Sequence, residues 1–323
     1  MWYPLTFQPL YQERIWGGRR LATVFGRSLP PGCLIGESWE VCDRPDAVSV
    51  VAQGPLTGRT LAELMSADPV GLWGQPVPAG TRFPWLCKLL DAREDLSLQV
   101  HPPSSVAGAL NGEPKTEMWY VAAADSDACF HAGLRAGTQR DEFERRARDG
   151  TVAELFQRLP VRAGDALFLP SGRVHALGRG LVIFEIQQNS DTTYRVFDWN
   201  RVGLDGKPRA LHLDQAMASI DFEDQAPALV PTLGVLEGGL TVRALVRDPL
   251  FDIDELTGSG PVADRRAPGH PGLIAVVAGQ AILKGGGQRI ELAAGGFALL
   301  PAAMRDFVLD AGSGATWLQV TRR

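Results

Sequence analysis

The chain has 323 residues, of which 45% are hydrophobic and 21% charged, and its formal net charge is −5. This composition is typical of a globular protein and excludes a coiled coil, a collagen or a largely disordered chain. No basic run could follow a phosphate backbone, and no Lys/Arg cluster adjoins an apolar helix, so we expect neither a nucleic acid nor a membrane partner. The 36 glycines and 23 prolines indicate many tight turns and therefore a β-rich fold.

Helical signals are few and short. Residues 60–65 predict one short helix with Thr60 as its N-cap, and residues 104–110 predict a helical turn. Residues 139–158 predict a longer, highly charged helix that is broken at Gly150.

Most of the remaining chain is typical of short strands separated by turns, which favours a sandwich or barrel over a doubly wound sheet. A strand over residues 184–195 carries several of the polar residues considered below. The other predicted strands are 36–42, 48–52, 85–90, 117–122, 166–169, 181–187, 240–246, 273–277 and 316–320.

An internal repeat supports two similar units. Residues 164–175 and 295–306 both run from glycine through a short apolar strand to proline and a second turn. The first copy directs His175 inward and the second directs Asp306 inward. We therefore expect a duplicated β-barrel with residues 221–232 as its linker. The three glycines 285–287 lie between strands and predict a hairpin, not a nucleotide loop.

Four cysteines are scattered through the chain without a Cys-x-x-Cys pair: Cys33, Cys42, Cys87 and Cys129. Their apolar settings favour free thiols in a reducing compartment over two disulfides. The first residues lack the charged and then apolar pattern of a signal peptide. We therefore expect a cytoplasmic protein.

His101 is the first candidate metal ligand. Ser97, Gln99 and His101 alternate with apolar residues, so they share one face of a strand. Polar groups on an inward face need partners, because an unpaired buried polar group costs about 1–3 kcal/mol. A bound metal would satisfy two of them, whereas a solvent-facing strand would need no partner at all.

Two further positions complete the candidate set. Glu117 begins another strand and shares its face with Lys115, and His175 follows the first of the repeated turns. With Gln99 and His101 these residues offer two imidazoles, a carboxylate and an amide oxygen. That ligand mix suits Zn²⁺ or a similar divalent ion with room for substrate oxygens.

The strand over residues 184–195 adds Glu185 and Arg195, and Arg201 follows it. Guanidinium groups match phosphate and sugar oxyanions in a bidentate way, so the two arginines could hold such a group. Ordinary surface ion pairs are the alternative for each of them.

At these residues the chain resembles the type I phosphomannose isomerases, the zinc-dependent mannose-6-phosphate isomerases of the cupin superfamily. The likeness runs from about residue 5 to about residue 215, and the length resembles the shorter bacterial branch. The segments that carry it are WGG at 16–18, GESWE at 36–40, CKLLDA within 86–92, LSLQVHP at 96–102, KTEMWY at 115–120 and NSDTTYRVFDW at 189–199.

The resemblance implies a mainly β chain of two cupin (jelly-roll β-barrel) domains with a few short helices. Residues 1–222 would form the catalytic, metal-binding domain, and residues 233–323 a degenerate, metal-free one. One Zn²⁺ per chain would be held by Gln99, His101, Glu117 and His175.

The resemblance also implies a reaction, the interconversion of mannose 6-phosphate and fructose 6-phosphate through an enediol. Arg195 and Lys115 would be catalytic. Substrate contacts are assigned less firmly to four residues, namely Ser97, Lys88, Glu185 and Arg201. The implied partner is a small hexose phosphate, and a homodimer is left open.

Two other functions fit the residues alone. A metal cupin of another reaction, such as Fe(II) oxygenation, needs two histidines and a carboxylate. A sugar-binding regulatory protein would keep the fold without turnover. Arg179 stands where cupins often have asparagine, but Gln99 in place of the first histidine of a His-x-His pair is what the isomerase family itself shows.

Overall fold

A computed structural model describes residues 1–322. Strands contain 41% of the chain and helices 14%, which confirms the expected mainly β fold. The chain forms two compact units. Unit 1 comprises Met1–Leu10, Trp39–Cys87 and the chain from Pro231 onward; unit 2 comprises Tyr11–Ser38 and Lys88–Val230.

The two units interleave along the chain, unlike the consecutive ranges 1–222 and 233–323 that the sequence suggested. Residues 1–10 and 39–87 pack with the C-terminal segment in unit 1. The assignment of a metal-binding and a metal-free domain to the two consecutive ranges stays a prediction.

Unit 2 is built on two antiparallel sheets. Its strands are β1 Leu10–Gly18, β2 Ile35–Val41, β3 Trp85–Ala92, β4 Leu98–Val100, β5 Glu117–Ala124, β6 Cys129–Leu134, β7 Phe156–Pro160, β8 Ala166–Leu169, β9 His175–Leu177, β10 Leu181–Gln188 and β11 Tyr194–Phe197. A boundary between the two units falls within each of β1, β2 and β3. One sheet has the order β1-β2-β3-β10-β5-β8 and the other β11-β4-β9-β6-β7. Aromatic and aliphatic side chains from both sheets, including Trp119 and Phe130, form a shared core.

The helices are short, as expected. They are α1 Arg20–Phe25, α2 Leu61–Ala67, α3 Pro69–Trp73, α4 Ser104–Ala107, α5 Arg140–Asp149 and α6 Leu213–Ser219, with 3₁₀ turns at Gly108–Leu110 and Val152–Leu155. Thr60 caps α2 in a reciprocal capping box with Glu63, which confirms the predicted N-cap.

The helix predicted over residues 139–158 is confirmed as far as its break at Gly150, which adopts a left-handed conformation (φ 79°) that ends α5. The second piece is helical only over Val152–Leu155, as a 3₁₀ turn, and the prediction is wrong beyond it. Phe156 and Arg158 instead belong to β7, where they pair with Leu134 and His131 of β6. Phe156 is fully buried, so the apolar residue whose spacing suggested a helix packs into the core from strand β7.

The strand predicted over residues 184–195 is also wrong in part. It divides into β10 and β11, which lie in different sheets. The break is held by Gln187, whose Nε2 donates to the backbone oxygens of Gln188 and Ser190 at 2.7 Å. A period-two pattern does not reveal such a break, because polar residues continue through it.

Unit 1 contains a nine-stranded arrangement centred on the long strand β16. Its strands are β12 Val235–Glu237, β13 Leu240–Asp248, β14 Phe251–Gly258, β15 Pro261–Ala263, β16 Gly272–Gly285, β17 Gln288–Ala293, β18 Phe297–Leu300, β19 Val308–Asp310 and β20 Ala315–Thr321. The sheet order is β12-β13-β14-β20-β16-β19-β15, and β17 and β18 also pair with β16.

The predicted hairpin at the three glycines is confirmed, since Gly286 and Gly287 connect β16 to β17 with φ of 58° and 74°. The prediction that Asp306 points inward is wrong. Asp306 is exposed, and its carboxylate accepts hydrogen bonds from the Gly286 amide at 3.0 and 3.1 Å.

All four cysteines are free thiols, which confirms that expectation. Among the helices of residues 1–322, none is long and apolar enough to span a membrane.

Helix α5 depends on one buried aromatic residue. Phe143 is fully buried, and its ring lies against Phe156 at 6.3 Å and Phe222 at 5.7 Å between centroids. We expect Phe143→Ala to lower the free energy of unfolding by about 3–5 kcal/mol, because it removes a large side chain from a packed core.

Urea unfolding followed by circular dichroism measures this change. Arg145→Ala on the exposed face of the same helix is the control, with an expected change within about 0.5 kcal/mol. A loss below about 1 kcal/mol for Phe143→Ala would show that α5 is not anchored through this ring.

Candidate metal centre and substrate cavity

The strand register of unit 2 brings the predicted ligands together from both sheets. In one sheet Gln99 lies between Arg195 and His175, because it pairs with both. In the other sheet Glu117 pairs with Gln187. The two sheets therefore present an imidazole and a carboxylate to the same space.

His101, Glu117 and His175 form a closed, buried cluster. His101 Nε2 lies 3.5 Å from Glu117 Oε2, and His175 Nε2 lies 3.4 Å from Glu117 Oε1. The three residues are at most 1% exposed. One potential ligand atom from each lies within 4.8 Å of the others.

Backbone carbonyls fix the orientation of both imidazoles. His101 Nδ1 lies 2.8 Å from the Thr192 carbonyl and His175 Nδ1 lies 2.8 Å from the Arg173 carbonyl. A carbonyl only accepts, so each Nδ1 carries the proton and each Nε2 keeps a lone pair. Both lone pairs therefore face the Glu117 carboxylate.

The turn that carries the Arg173 carbonyl is itself held in place. The Arg173 guanidinium makes a bidentate pair with Asp224 at 2.6 and 2.7 Å. The preceding Gly172 donates its amide to the His101 carbonyl at 2.8 Å. The turn predicted from the repeat thus places His175 and also contacts His101. Outer partners of this kind orient ligands before an ion binds.

Electrostatics keep the cluster free of protons. Burial, reinforced by the charge of Lys115, lowers the pKa of His101 to about 4. Burial also lowers the pKa of His175. Burial alone would raise the pKa of Glu117, but Lys115 and the two imidazoles hold it well below its usual range.

A cation fits this cluster. Glu117 Oε1, Glu117 Oε2 and His101 Nε2 are buried without a hydrogen-bond partner, although Lys115 Nζ lies 2.7 Å from Oε2. Unpaired lone pairs facing one another are unfavourable unless a positive centre lies between them. Two imidazole nitrogens with a carboxylate match the preferences of zinc and related divalent ions.

Gln99 lies beside the cluster. Its Nε2 is 3.4 Å from His175 Nε2, and its Oε1 accepts from the Ser97 hydroxyl at 3.3 Å. Exchanging the amide oxygen and nitrogen, which have nearly the same shape, would direct Oε1 to the cluster as a fourth ligand.

A cavity of about 460 Å³ in unit 2 adjoins the cluster, within the range of small-molecule sites. The predicted residues that line it are Ser97, Gln99, Lys88, Lys115, Glu185 and Arg195. Lining residues that the sequence did not single out include Arg14, Glu37, Trp119 and Arg209.

The substrate contact predicted for Arg201 stays a prediction. Arg201 is not among the residues that line the cavity, and its guanidinium pairs with Asp198 at 2.8 Å and with Glu94 at 3.8 Å. Arg209 lies in the cavity wall instead. Both arginines contact the same aspartate, so composition and spacing alone could not tell them apart.

Buried charges alternate across the larger sheet. Arg14 on β1 pairs with Glu37 on β2 at 2.7 Å, and Glu37 pairs with Lys88 on β3 at 3.3 Å. Lys88 pairs with Glu185 on β10 at 3.2 Å, and Glu185 accepts from Trp119 Nε1 on β5 at 2.9 Å. Burial would lower the pKa of Lys88, but Glu185 and Glu37 raise it well above its ordinary value.

The depressed histidine pKa predicts how the metal-free protein responds to acid. In the unfolded chain His101 titrates near 6.5, and in the folded chain near 4. Between these values the unfolded state binds the extra proton, so the free energy of unfolding falls as the pH is lowered through this window. The contribution of His101 is about 3 kcal/mol.

Urea titrations at pH 7 and pH 4 in the presence of a chelator measure this loss. His101→Gln removes the titrating group, so its unfolding free energy should fall less steeply over the same interval. Equal slopes in the two proteins would contradict a neutral, buried His101.

Comparisons with known proteins agree with this geometry. The profile of the family described as "Phosphomannose isomerase type I, catalytic domain" matches residues 5–120. The chain is 36% identical over 308 residues to mannose-6-phosphate isomerase from Streptococcus mutans, covering 95% of each chain. It is 37% identical over 309 residues to mannose-6-phosphate isomerase ManA from Bacillus subtilis, covering 95% of this chain and 96% of the relative.

The fold gives the same result. A crystal structure of the mannose 6-phosphate isomerase from Bacillus subtilis matches with a TM-score of 0.88 and 31% identity, covering both chains completely. This likeness confirms the expected cupin fold. The chain belongs to the type I phosphomannose isomerase family.

Proposed function

We propose that the protein is a zinc-dependent isomerase that interconverts mannose 6-phosphate and fructose 6-phosphate through an enediol. The observation that carries this proposal is the proton-free His101, Glu117 and His175 cluster beside a cavity lined by lysine and arginine. Two relatives that are named mannose-6-phosphate isomerases align with this chain over nearly their full length, which supports the proposal.

The proposed zinc ligands are His101, Glu117 and His175, with Gln99 as the fourth. One ion per chain is expected from this single cluster. When bound, the ion supplies a Lewis acid that polarises a substrate oxygen. Gln99 and Lys115, which contact the cluster, both line the cavity, so a substrate there would lie beside the proposed ion.

Arg195 stabilises the charge that develops on the sugar. An aldose–ketose exchange moves a proton between carbon 1 and carbon 2, and negative charge appears on the adjacent oxygen. The backbone of Arg195 pairs with Gln99 beside the cluster, and its side chain lines the cavity. A fixed guanidinium in a partly buried site is suited to this role because it need not reorganise during the reaction.

Two cavity groups are placed to hold the transferred proton. Lys115 Nζ contacts Glu117 with one of its three hydrogens, so two remain for sugar oxygens. Glu185 is a buried carboxylate beside Lys88 and Trp119. A proton shuttle must lie within hydrogen-bond reach of both carbons. Both side chains line the cavity, Lys115 from the segment just before β5 and Glu185 from the neighbouring strand β10.

The cellular setting follows from sulfur chemistry. None of the four cysteines forms a disulfide, which is typical of a reducing compartment. We therefore place the enzyme in the cytoplasm with a soluble hexose phosphate as its substrate. The homodimer stays a prediction.

The first test is a coupled assay for fructose 6-phosphate formed from mannose 6-phosphate. We expect turnover to disappear after chelation and to return when Zn²⁺ is added. Turnover should not require oxygen. Metal analysis of the same sample should find one ion per chain. Metal-loaded protein without turnover would contradict the isomerase, and oxygen-dependent turnover would favour an Fe(II) cupin.

Arg195→Ala tests the role of the guanidinium. We expect zinc content to be unchanged and kcat to fall by about 10²–10³, the effect of removing one donor to a developing oxyanion. Arg93→Gln, on an exposed arginine of the same unit, is the control and should retain full activity. Turnover within about threefold of the original protein would contradict the assigned role.

A further inference from the structure

Three arginines converge on the cavity from separate parts of unit 2. Arg14 lies on β1, Arg195 on β11, and Arg209 on the segment between β11 and α6. All three line the same 460 Å³ cavity. Three guanidinium groups therefore offer hydrogen-bond donors to one space, and such donors suit an anionic group.

Their hydrogen bonds leave several donors unused. Arg14 donates Nε to Glu37 at 2.7 Å and Nη1 to the Glu13 carbonyl at 3.2 Å. Arg209 donates Nε and Nη2 to Asp198 at 2.7 and 2.5 Å. Within residues 1–322, the Arg195 guanidinium donates no hydrogen bond, and its Nε is buried. Nη2 of Arg14, Nη1 of Arg209 and the whole Arg195 fork remain available.

The charges act on one another across this space. Burial lowers the pKa of Arg195, and the positive charges of Arg209 and Arg14 lower it further. Asp198 and Asp191 oppose this effect only in part. Arginine stays protonated in proteins, so the repulsion persists until an anion enters the cavity.

The arginine end of the cavity is distinct from the metal end. In the larger sheet Glu117 is on β5 and Arg14 is on β1, with β2, β3 and β10 between them. Arg14 and Lys115, which contacts Glu117, nevertheless line the same cavity, so one ligand in it can meet residues of both sets.

The chain positions both outer arginines. A Cβ at Gly36 would lie 2.6 Å from the Arg14 Cβ and 2.8 Å from the Trp16 ring, so only glycine lets Arg14 pass over β2. Arg209 is fixed by Asp198, a buried carboxylate that Arg201 also contacts. These supports hold the guanidinium groups at the cavity in a defined orientation.

We propose that Arg14 and Arg209 bind the phosphate of the sugar phosphate, while Arg195 lies between this anion site and the reacting carbons. The inference rests on the proposed function, because it identifies which end of that substrate meets which residues. It also assigns the phosphate to residues other than Lys88, which lies between two carboxylates, and Arg201, which pairs with Asp198 and Glu94 and is not among the lining residues.

A dianion suits this site better than a neutral hydroxyl. Glu37 is shared between Arg14 and Lys88, and Asp198 is shared between Arg209 and Arg201, so neither cavity arginine has a carboxylate to itself. Charge-assisted contacts to guanidinium are roughly twice as strong as neutral ones.

The test compares binding of mannitol 6-phosphate, which cannot isomerise, with binding of mannitol and of inorganic phosphate. Calorimetry is done on zinc-loaded original protein, Arg14→Gln and Arg93→Gln. The control removes the same charge from the same unit outside the cavity. We expect Arg14→Gln to weaken mannitol 6-phosphate and inorganic phosphate at least about tenfold, and to leave mannitol unchanged.

Arg209→Gln provides a second, independent variant, and Arg201 remains there to pair with Asp198. It should weaken the same two phosphorylated probes. Unchanged binding of mannitol 6-phosphate in both variants would overturn the proposal. An equal loss of phosphate-probe binding in Arg93→Gln would also overturn it, because it would show that only the overall charge of the protein affects binding.

Kinetics separate this inference from the proposed function. If the original protein isomerises mannose 6-phosphate, Arg14→Gln should raise KM about tenfold or more with kcat within about threefold, as expected for uniform binding. A fall in kcat with an unchanged KM would overturn the assigned phosphate site. If the original protein shows no isomerisation but Arg14→Gln still weakens the phosphorylated probe, the function fails and the anion site stands.

Discussion

The site depends on two neutral imidazoles and one ionised carboxylate that are buried with their lone pairs facing one another. His101 and His175 donate the one N–H of each neutral ring to the carbonyls of Thr192 and Arg173. Nothing within the cluster supplies a further proton, because the surrounding charges oppose protonation. A bound cation would therefore relieve a strain that the fold already contains, and it would stabilise the folded state over the unfolded one.

The loops around the cluster can be understood from this constraint. The segment between β10 and β11 leaves both sheets and brings Thr192 to His101. The turn after β8 brings Arg173 to His175 and is tied to Asp224. A continuous strand through residues 184–195 would have placed more side chains in the sheet but would have provided no carbonyl for His101. The irregular backbone thus orients His101 for the proposed ion.

The sequence predicted those parts of the structure that depend on interactions between residues close together in the chain. The turn that delivers His175, the N-cap at Thr60 and the hairpin at Gly286 are local, and their residue types determine them. Arg14 and Glu37 were missed because they pair across two strands, β1 and β2, that are separated by α1. Arg209 was missed because its pairing with Asp198 depends on the path of the loop after β11, where Arg201 contacts the same carboxylate.

The repeated turn shows the same limit from another direction. Residues 164–175 and 295–306 share a glycine, an apolar strand and a proline, and both form a strand followed by a turn. In the first copy the last residue is an imidazole that reaches a carboxylate on the facing sheet. In the second it is Asp306, which accepts hydrogen bonds from the Gly286 amide at the surface of its own unit. The repeated sequence pattern therefore predicts the position of the last residue of the turn. The residues around that position decide whether its side chain can serve as a ligand or supports a hairpin.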